Sequence, residues 1–193
     1  MKKKSNKRKP LLKNQPNRKL LRMLVFLIKF NLFAIPMYLI IFSGFQLASL
    51  KEATAGSVFV MLRISGIDAS IENSYITVPM SNGSFVASID WDCTGWKSMF
   101  ALFALIFATD FPLRRKLAGL VLLPVIYFIN LVRIWFMFFF ASVYGLAYYS
   151  ILHATIWSLG LITAILILWI IWLKKDFSKL KIPTRIISLI KGR

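Results

Sequence analysis

The sequence predicts an all-α integral membrane protein with about four transmembrane helices, both termini in the cytoplasm, and a small extracytoplasmic cap. Three observations support this fold class. The chain of 193 residues is 58% hydrophobic and has a net charge of +18, a combination that is rare in soluble domains. Its apolar residues are concentrated in four runs. Its basic residues lie mainly at the ends of those runs.

The four apolar runs are long enough, or nearly so, to cross a hydrocarbon core of about 30 Å, which takes roughly 20 helical residues. The second run is short, and we expect it to begin a few residues earlier, near Cys93. The first run is too long for a cleaved signal peptide and is expected to remain as an anchor. The predicted spans are residues 24–47, 95–109, 117–141 and 149–173.

The distribution of charge predicts the topology. Residues 1–23 are rich in lysine and arginine and contain no acid, and the turn 110–116 and the tail 174–193 are also basic. Acidic residues outnumber basic ones in the loop 48–92. Because positively charged flanks stay in the cytoplasm, we expect both termini inside and this loop outside. Residues 93–173 then form a membrane core with the last three spans.

The outer loop has the pattern of a small cap. Residues 56–66 have the apolar spacing of a short amphipathic helix that could lie in the membrane interface. Residues 70–79 and 84–89 are β-prone and alternate around Ser81-Asn82-Gly83, which predicts a hairpin.

The basic segments indicate contact with anionic lipid and not with nucleic acid. They adjoin membrane spans and lack the interleaved aromatic residues that stack on bases. We therefore expect membrane lipid, and no nucleic acid, as a partner.

Cys93 is the first candidate site residue. It is the only cysteine, which excludes an intramolecular disulfide and a cysteine-based metal cluster within one chain. A thiol at the start of a helix experiences the positive end of the helix dipole, which favours the reactive thiolate. The alternative is a small apolar packing residue, and the local sequence leaves both open.

Arg133 and His153 are ionisable residues inside predicted spans, where such groups are candidates for a functional site. Arg133 lies about 24 Å from the cytoplasmic end of its span, in a core of roughly 30 Å. Asn130 shares its helix face and could hold it. His153, the only histidine, lies roughly 6 Å deep from the outside. The alternatives are an arginine that reaches the outer headgroups and a histidine used for packing.

The topology is derived from loop charge alone, yet it places Cys93, Arg133 and His153 at a similar depth near the outer face. Together they offer a nucleophile, a proton-transfer partner and a fixed cation. Such a set could perform acyl transfer through a thioester, with Arg133 stabilising the thiolate or the oxyanion. We expect no cofactor and no metal ion.

Three motifs resemble the signatures of the exosortase/archaeosortase family. They are Cys-Thr-Gly-x-x-Ser at 93–98, Asn-x-x-Arg-Ile at 130–134 and the downstream His153, in the family's order over about residues 91–169. The resemblance implies a membrane-embedded cysteine transpeptidase. In it Cys93 would be the nucleophile, Arg133 and His153 would complete the catalytic site, and the supporting residues would be Thr94, Gly95, Ser98 and Asn130.

The resemblance also implies the substrates and the location. The substrates would be exported proteins that end in a short motif, a hydrophobic span and a basic tail. They would be cleaved at the outer face of the cytoplasmic membrane and passed to a new attachment. The chain has fewer spans than longer family members, and the loop 48–92 does not align with them, which puts the mode of substrate docking in doubt.

Two other classes of function stay open. A non-catalytic membrane scaffold, for example for envelope or polysaccharide export, should tolerate Cys93→Ser, whereas a catalyst should not. A small transporter requires polar groups near the middle of the membrane, and the second and fourth spans have almost none.

Overall fold

The computed structural model describes residues 15–80, 83–145 and 159–175, and these residues are mostly helical. Helix α1 is followed by a cap made of a second helix and a small sheet, and further helices follow a short turn. The elements are α1 (Gln15–Ser43), α2 (Ala48–Ile64), β1 (Ser70–Glu72), β2 (Tyr75–Met80), β3 (Gly83–Ser88), a 3-10 turn (Trp91–Thr94), α3 (Trp96–Ala108), α4 (Leu113–Gly119), α5 (Leu122–Tyr144) and α6 (Leu161–Lys174).

Two stretches of helix are long and apolar enough to cross a membrane. They are Arg18–Ser43 in α1 and Leu113–Tyr144 in α4 and α5, which correspond to the first and third predicted spans. Helices α3 and α6 are apolar but shorter. The first half of the predicted fourth span, including His153, lies outside the described residues. The count of four spans and the orientation therefore stay predictions.

The surface of α1 is that of a helix in contact with lipid. Only 6% of its most apolar window is buried inside the protein. Large apolar side chains such as Leu39 and Phe42 are 63% and 93% exposed. A helix that is apolar all round needs either a protein core or lipid around it, and for most of α1 the described protein does not supply the core.

Helices α1 and α3 pack antiparallel. The ring of Phe33 lies 6.3 Å from that of Phe103 and 5.6 Å from that of Phe107. Lys29 forms an ion pair with Asp110, just beyond the end of α3. This pairing brings the first half of α1 next to the turn between α3 and α4.

A second set of contacts joins α4 to the end of α6. Nη2 of Arg115 donates to the backbone carbonyls of Trp172 and Leu173, at 3.3 and 2.8 Å. The last carbonyls of a helix have no hydrogen-bond partner within the helix. The bonds from Arg115 therefore pair two acceptors at the end of α6. The guanidinium also lies 3.7 Å from the ring centroid of Phe111. Gly119 leaves room for the indole of the buried Trp172.

The cap differs in detail from the prediction. Strands β2 and β3 form the expected hairpin, with Met80 opposite Gly83. The segment 70–79, predicted as one strand, forms β1 and most of β2, because the chain reverses at Asn73, whose φ is +54°. The cap therefore contains a three-stranded sheet in the order β1-β2-β3.

Helix α2 begins at Ala48, earlier than predicted, and packs against α5 and the sheet. Val58 and Leu62 of α2, Ile76 and Val78 of β2, and Leu131 of α5 are buried in one cluster. Burying such side chains stabilises the contact by roughly 1.5–3 kcal/mol each relative to exposure. This cluster fixes the cap on the C-terminal half of α5.

We expect Gly119→Ala to destabilise the protein, because its Cβ would lie 2.7 Å from Nε1 of Trp172 and 3.1 Å from Cγ2 of Ile106. Overpacking of this kind costs about 1–3 kcal/mol. Gly56→Ala in α2 is the matched control, since a Cβ there has nothing within 4 Å. Thermal unfolding in detergent measures both. Equal shifts for the two variants would contradict the packing described here.

Candidate active site

A cavity of about 520 Å³ lies between the cap and the C-terminal half of α5. The end of β3, the 3-10 turn and α5 form its walls. Cys93 and Arg133 both line it, although they are far apart in the chain. The other lining residues are Gln46, Ala87, Ser88, Ile89, Asp90, Trp91, Asp92, Ile134, Met137 and Phe138.

Cys93 is held in the turn that precedes α3. Its backbone N–H donates to the carbonyl of Asp90 at 2.9 Å. The buried Thr94 donates from Oγ1 to the carbonyl of Trp91, also at 2.9 Å. Gly95 then adopts a φ of +77°, which L side chains rarely adopt, and α3 begins at Trp96. The Cys-Thr-Gly run therefore forms a tight, hydrogen-bonded corner.

Asn130 connects this corner to α5. Its side chain is fully buried, and its Nδ2 donates to the carbonyl of Cys93 at 2.7 Å. A Cβ on residue 95 would lie 2.9 Å from Cγ of Asn130, so glycine permits the close approach. We had expected Asn130 to hold Arg133, but its hydrogen bond goes to the cysteine turn. Asn130 is thus placed to position Cys93.

Arg133 lies one helical turn beyond Asn130 and is almost fully buried while lining the cavity. It is therefore part of the cavity wall instead of reaching away to the outer headgroups. Three of the sequence-predicted residues, Cys93, Asn130 and Arg133, thus belong to one connected arrangement.

Of the remaining predicted residues, three are described by the structure and do not line the cavity, and one lies outside the described residues. Ser98 is buried in the first turn of α3 and does not line the cavity. Thr94 and Gly95 shape the corner without lining the cavity. His153 lies outside the described residues, so its place relative to Cys93 stays a prediction.

The thiol of Cys93 is harder to ionise than expected from a position near a helix start. Burial raises its pKa, and the carboxylates of Asp90 and Asp92 raise it further. A backbone hydrogen bond with Asp90 and the charge of Arg133 lower the pKa but do not reverse the shift. Cys93 also precedes Gly95, the residue that caps α3, so it is not in the first turn of the helix. The protonated thiol is therefore favoured at neutral pH.

Two carboxylates and a tryptophan next to Cys93 were not chosen as site residues from the sequence. Asp90 lines the cavity, and Asp92 does so while pairing with Lys97 at 2.8 Å. Trp91 stacks on Trp96 with ring centroids 5.2 Å apart. The sequence could have indicated these three residues, because they lie next to Cys93. Nothing in the sequence indicates that Gln46 lines the cavity. Among the described residues, no group of three or more potential ligands could hold a metal ion.

A second cavity, of about 640 Å³ and almost wholly apolar, lies on the other side of Trp91. It is formed by the end of α1, the start of α3, the start of α2 and part of α5. Because Trp91 lines both cavities, the cavity beside Cys93, which has a mixed polar and apolar lining, adjoins one that is almost wholly apolar.

Comparison with known proteins gives one match. The model of a family described as transmembrane exosortase (Exosortase_EpsH) matches residues 17–170, which include every candidate residue of the site. No curated protein and no solved structure matches the chain significantly.

The raised pKa predicts how Cys93 reacts with an alkylating reagent. Iodoacetamide modifies the thiolate, so labelling of this single cysteine should accelerate as pH rises past the usual range of thiol ionisation. Asp90→Asn removes a negative charge and should increase the rate at neutral pH about two- to fivefold. Arg133→Gln should decrease it. Mass spectrometry of the labelled protein measures the rates.

The matched control is Asp68→Asn in the cap, where the carboxylate pairs with Arg63 and does not line the cavity. It should leave the labelling curve unchanged. Coincident pH profiles for the wild type, Asp90→Asn and Arg133→Gln would contradict the electrostatic description of the cavity.

Proposed function

This chain belongs to the transmembrane exosortase family, and we propose that it is a membrane cysteine transpeptidase that cleaves C-terminal sorting signals of exported proteins. Family membership supports the broader class, a membrane protein of a transpeptidase or protease family. The cleavage, the nucleophile and the outward-facing site are our proposal.

The observation that carries the proposal is that Cys93 and Arg133 line one cavity. A nucleophile and a buried cation at the same cavity suit a reaction in which negative charge develops on a carbonyl oxygen. The bond from Asn130 to the Cys93 carbonyl supports a fixed geometry, which an acyl transfer requires.

In the first step, Sγ of Cys93 attacks the carbonyl carbon of the scissile peptide bond. His153, assigned by its motif, accepts the thiol proton, which the raised pKa keeps on sulfur at rest. The carbonyl electrons move to oxygen, where Arg133 stabilises them. The C–N bond then breaks, and the imidazolium returns the proton to the leaving amine, which departs with the hydrophobic span and basic tail.

In the second step, a nucleophile attacks the thioester that remains on Cys93. Water gives a trimmed protein, and an amine gives a protein joined to a new anchor. In either case the C–S bond breaks, His153 takes the proton from the attacking group, and the proton returns to sulfur.

The location of the site at the outer membrane boundary is part of the proposal. It is supported by the excess of basic residues at both termini. The mixed lining of the cavity beside Cys93, next to an almost wholly apolar cavity, suits a substrate in which a short motif is followed by a hydrophobic segment.

The direct test is co-expression with an exported protein of the same genome that ends in a motif, a hydrophobic span and a basic tail. The wild type should shorten this protein, as measured by its mass. Cys93→Ala and Cys93→Ser should both abolish shortening while inserting normally. Val60→Ala, on an exposed position of α2 that does not line the cavity, is the control and should retain it. Normal shortening by Cys93→Ser would favour the scaffold.

Arg133 provides a second test of the same reaction. Arg133→Gln removes the cation and should reduce the rate of shortening about 10²-fold or more, as expected for loss of an oxyanion-stabilising group. Arg133→Lys keeps the charge but not the guanidinium geometry. Its rate of shortening should lie between the rates of Arg133→Gln and the wild type. Equal rates for Arg133→Gln and the wild type would remove Arg133 from the mechanism.

A further inference from the structure

Strand β3 is an edge strand that leads to the candidate nucleophile. It pairs with β2 on one side, and no described strand pairs with the other. Its last two residues, Ala87 and Ser88, line the cavity together with Cys93. A chain lying along the open edge of β3 would therefore run into the cavity.

The register identifies which backbone groups face the open edge. The N–H of Ile89 donates to the carbonyl of Ser74 at 2.8 Å, so the residues that bond to β2 have odd numbers. Proline at position 79, opposite Ser84, fits this pattern, because that pair requires no N–H. The N–H and carbonyl groups of Ser84, Val86 and Ser88 consequently point away from β2.

Within the described residues, the open edge lacks the features that usually protect edge strands. Proteins block such edges with charged side chains, proline, bulges or very short strands. Strand β1, at the other edge, has three residues and ends at Glu72. Strand β3 has six residues, Gly-Ser-Phe-Val-Ala-Ser, with neither charge nor proline. An unprotected edge beside a cavity is suited to accept a peptide as an added strand.

We propose that the substrate segment preceding the scissile bond binds as an added strand along β3, with backbone hydrogen bonds to Val86 and Ser88. This inference rests on the proposed function and specifies how its substrate is held. Backbone pairing keeps the peptide extended, which presents the scissile carbonyl to Cys93. Met137 and Phe138 of α5, on the cavity wall, are available to the substrate's side chains.

The first experiment detects the contact without requiring catalysis. A photoreactive p-benzoylphenylalanine replaces Val86 in the Cys93→Ala chain, which is co-expressed with the exported protein described above and irradiated. The matched control carries the same group at Val60, which is 52% exposed compared with 54% for Val86. We expect crosslinks from position 86 to substrate residues that precede the cleavage site, at least about five times more than from position 60.

Crosslinks that join only two copies of this chain, or equal yields at positions 86 and 60, would overturn the inference. Because the Cys93→Ala chain is used, this result does not depend on whether Cys93 is the nucleophile. If shortening of the exported protein survives Cys93→Ala, the proposed function fails while the crosslinks still report whether the edge binds the protein.

The second experiment removes the backbone donor. Val86→Pro deletes an N–H that faces the open edge and leaves the bonds to β2 in place, so shortening should slow about tenfold, as for one lost hydrogen bond in the transition state. Ile71→Pro is the control, since the register of β1 points its N–H away from β2 at the opposite edge. The labelling rate of Cys93 in both variants reports whether the cap is intact.

Equal shortening by Val86→Pro and Ile71→Pro, with intact labelling, would exclude pairing at β3. If either variant alters labelling, the crosslink yields at positions 86 and 60 decide between the two outcomes.

Discussion

The hydrogen bond from the buried amide of Asn130 to the carbonyl of Cys93 is the interaction on which the site depends. It joins the corner before α3 to the middle of α5, and the glycine at position 95 allows the two to approach. Arg133 follows one turn later on the same helix. Helix α5 therefore fixes the position of the cysteine turn, through Asn130, and carries the guanidinium itself. An unpaired carbonyl in this buried corner would cost roughly 1–3 kcal/mol, so the contact also stabilises the fold.

The rest of the fold keeps α5 in place from both ends. On the side of the cap, α2 and the sheet bury a common apolar cluster against α5. Residues of β3 pack on the same cluster, which places the end of this strand at the cavity. At the other end, Arg115 binds carbonyls at the end of α6, and Lys29 pairs with Asp110. Most of the exposed surface of α1 is apolar, as expected for a helix in contact with lipid. The protein thus combines a membrane bundle with a small polar-edged cap.

Local patterns predicted much of this arrangement, and long-range contacts account for what they missed. Asn-Gly at 82–83 predicted the hairpin, and the motifs at 93–98 and 130–134 selected Cys93, Asn130 and Arg133. The hydrogen-bond partner of Asn130, the carbonyl of Cys93, lies 37 residues away in the sequence. Helix periodicity shows only neighbours on the same helix and therefore indicated Arg133 as the partner. The extra strand depends on a positive φ at Asn73, which the local sequence did not reveal. The helix dipole alone predicts a lowered pKa for Cys93. Burial and two nearby carboxylates raise this pKa instead, and both are tertiary effects that the local sequence does not show.

The central claim is that Cys93 carries the substrate as a thioester, and direct detection of that intermediate tests it most sharply. Membranes containing this protein and the exported substrate would be quenched in acid, digested and analysed by mass spectrometry. We predict that the peptide containing Cys93 carries the new C-terminal end of the substrate and that hydroxylamine releases it. Continued shortening of the substrate while the Cys93 peptide stays unmodified and fully alkylatable would contradict the account.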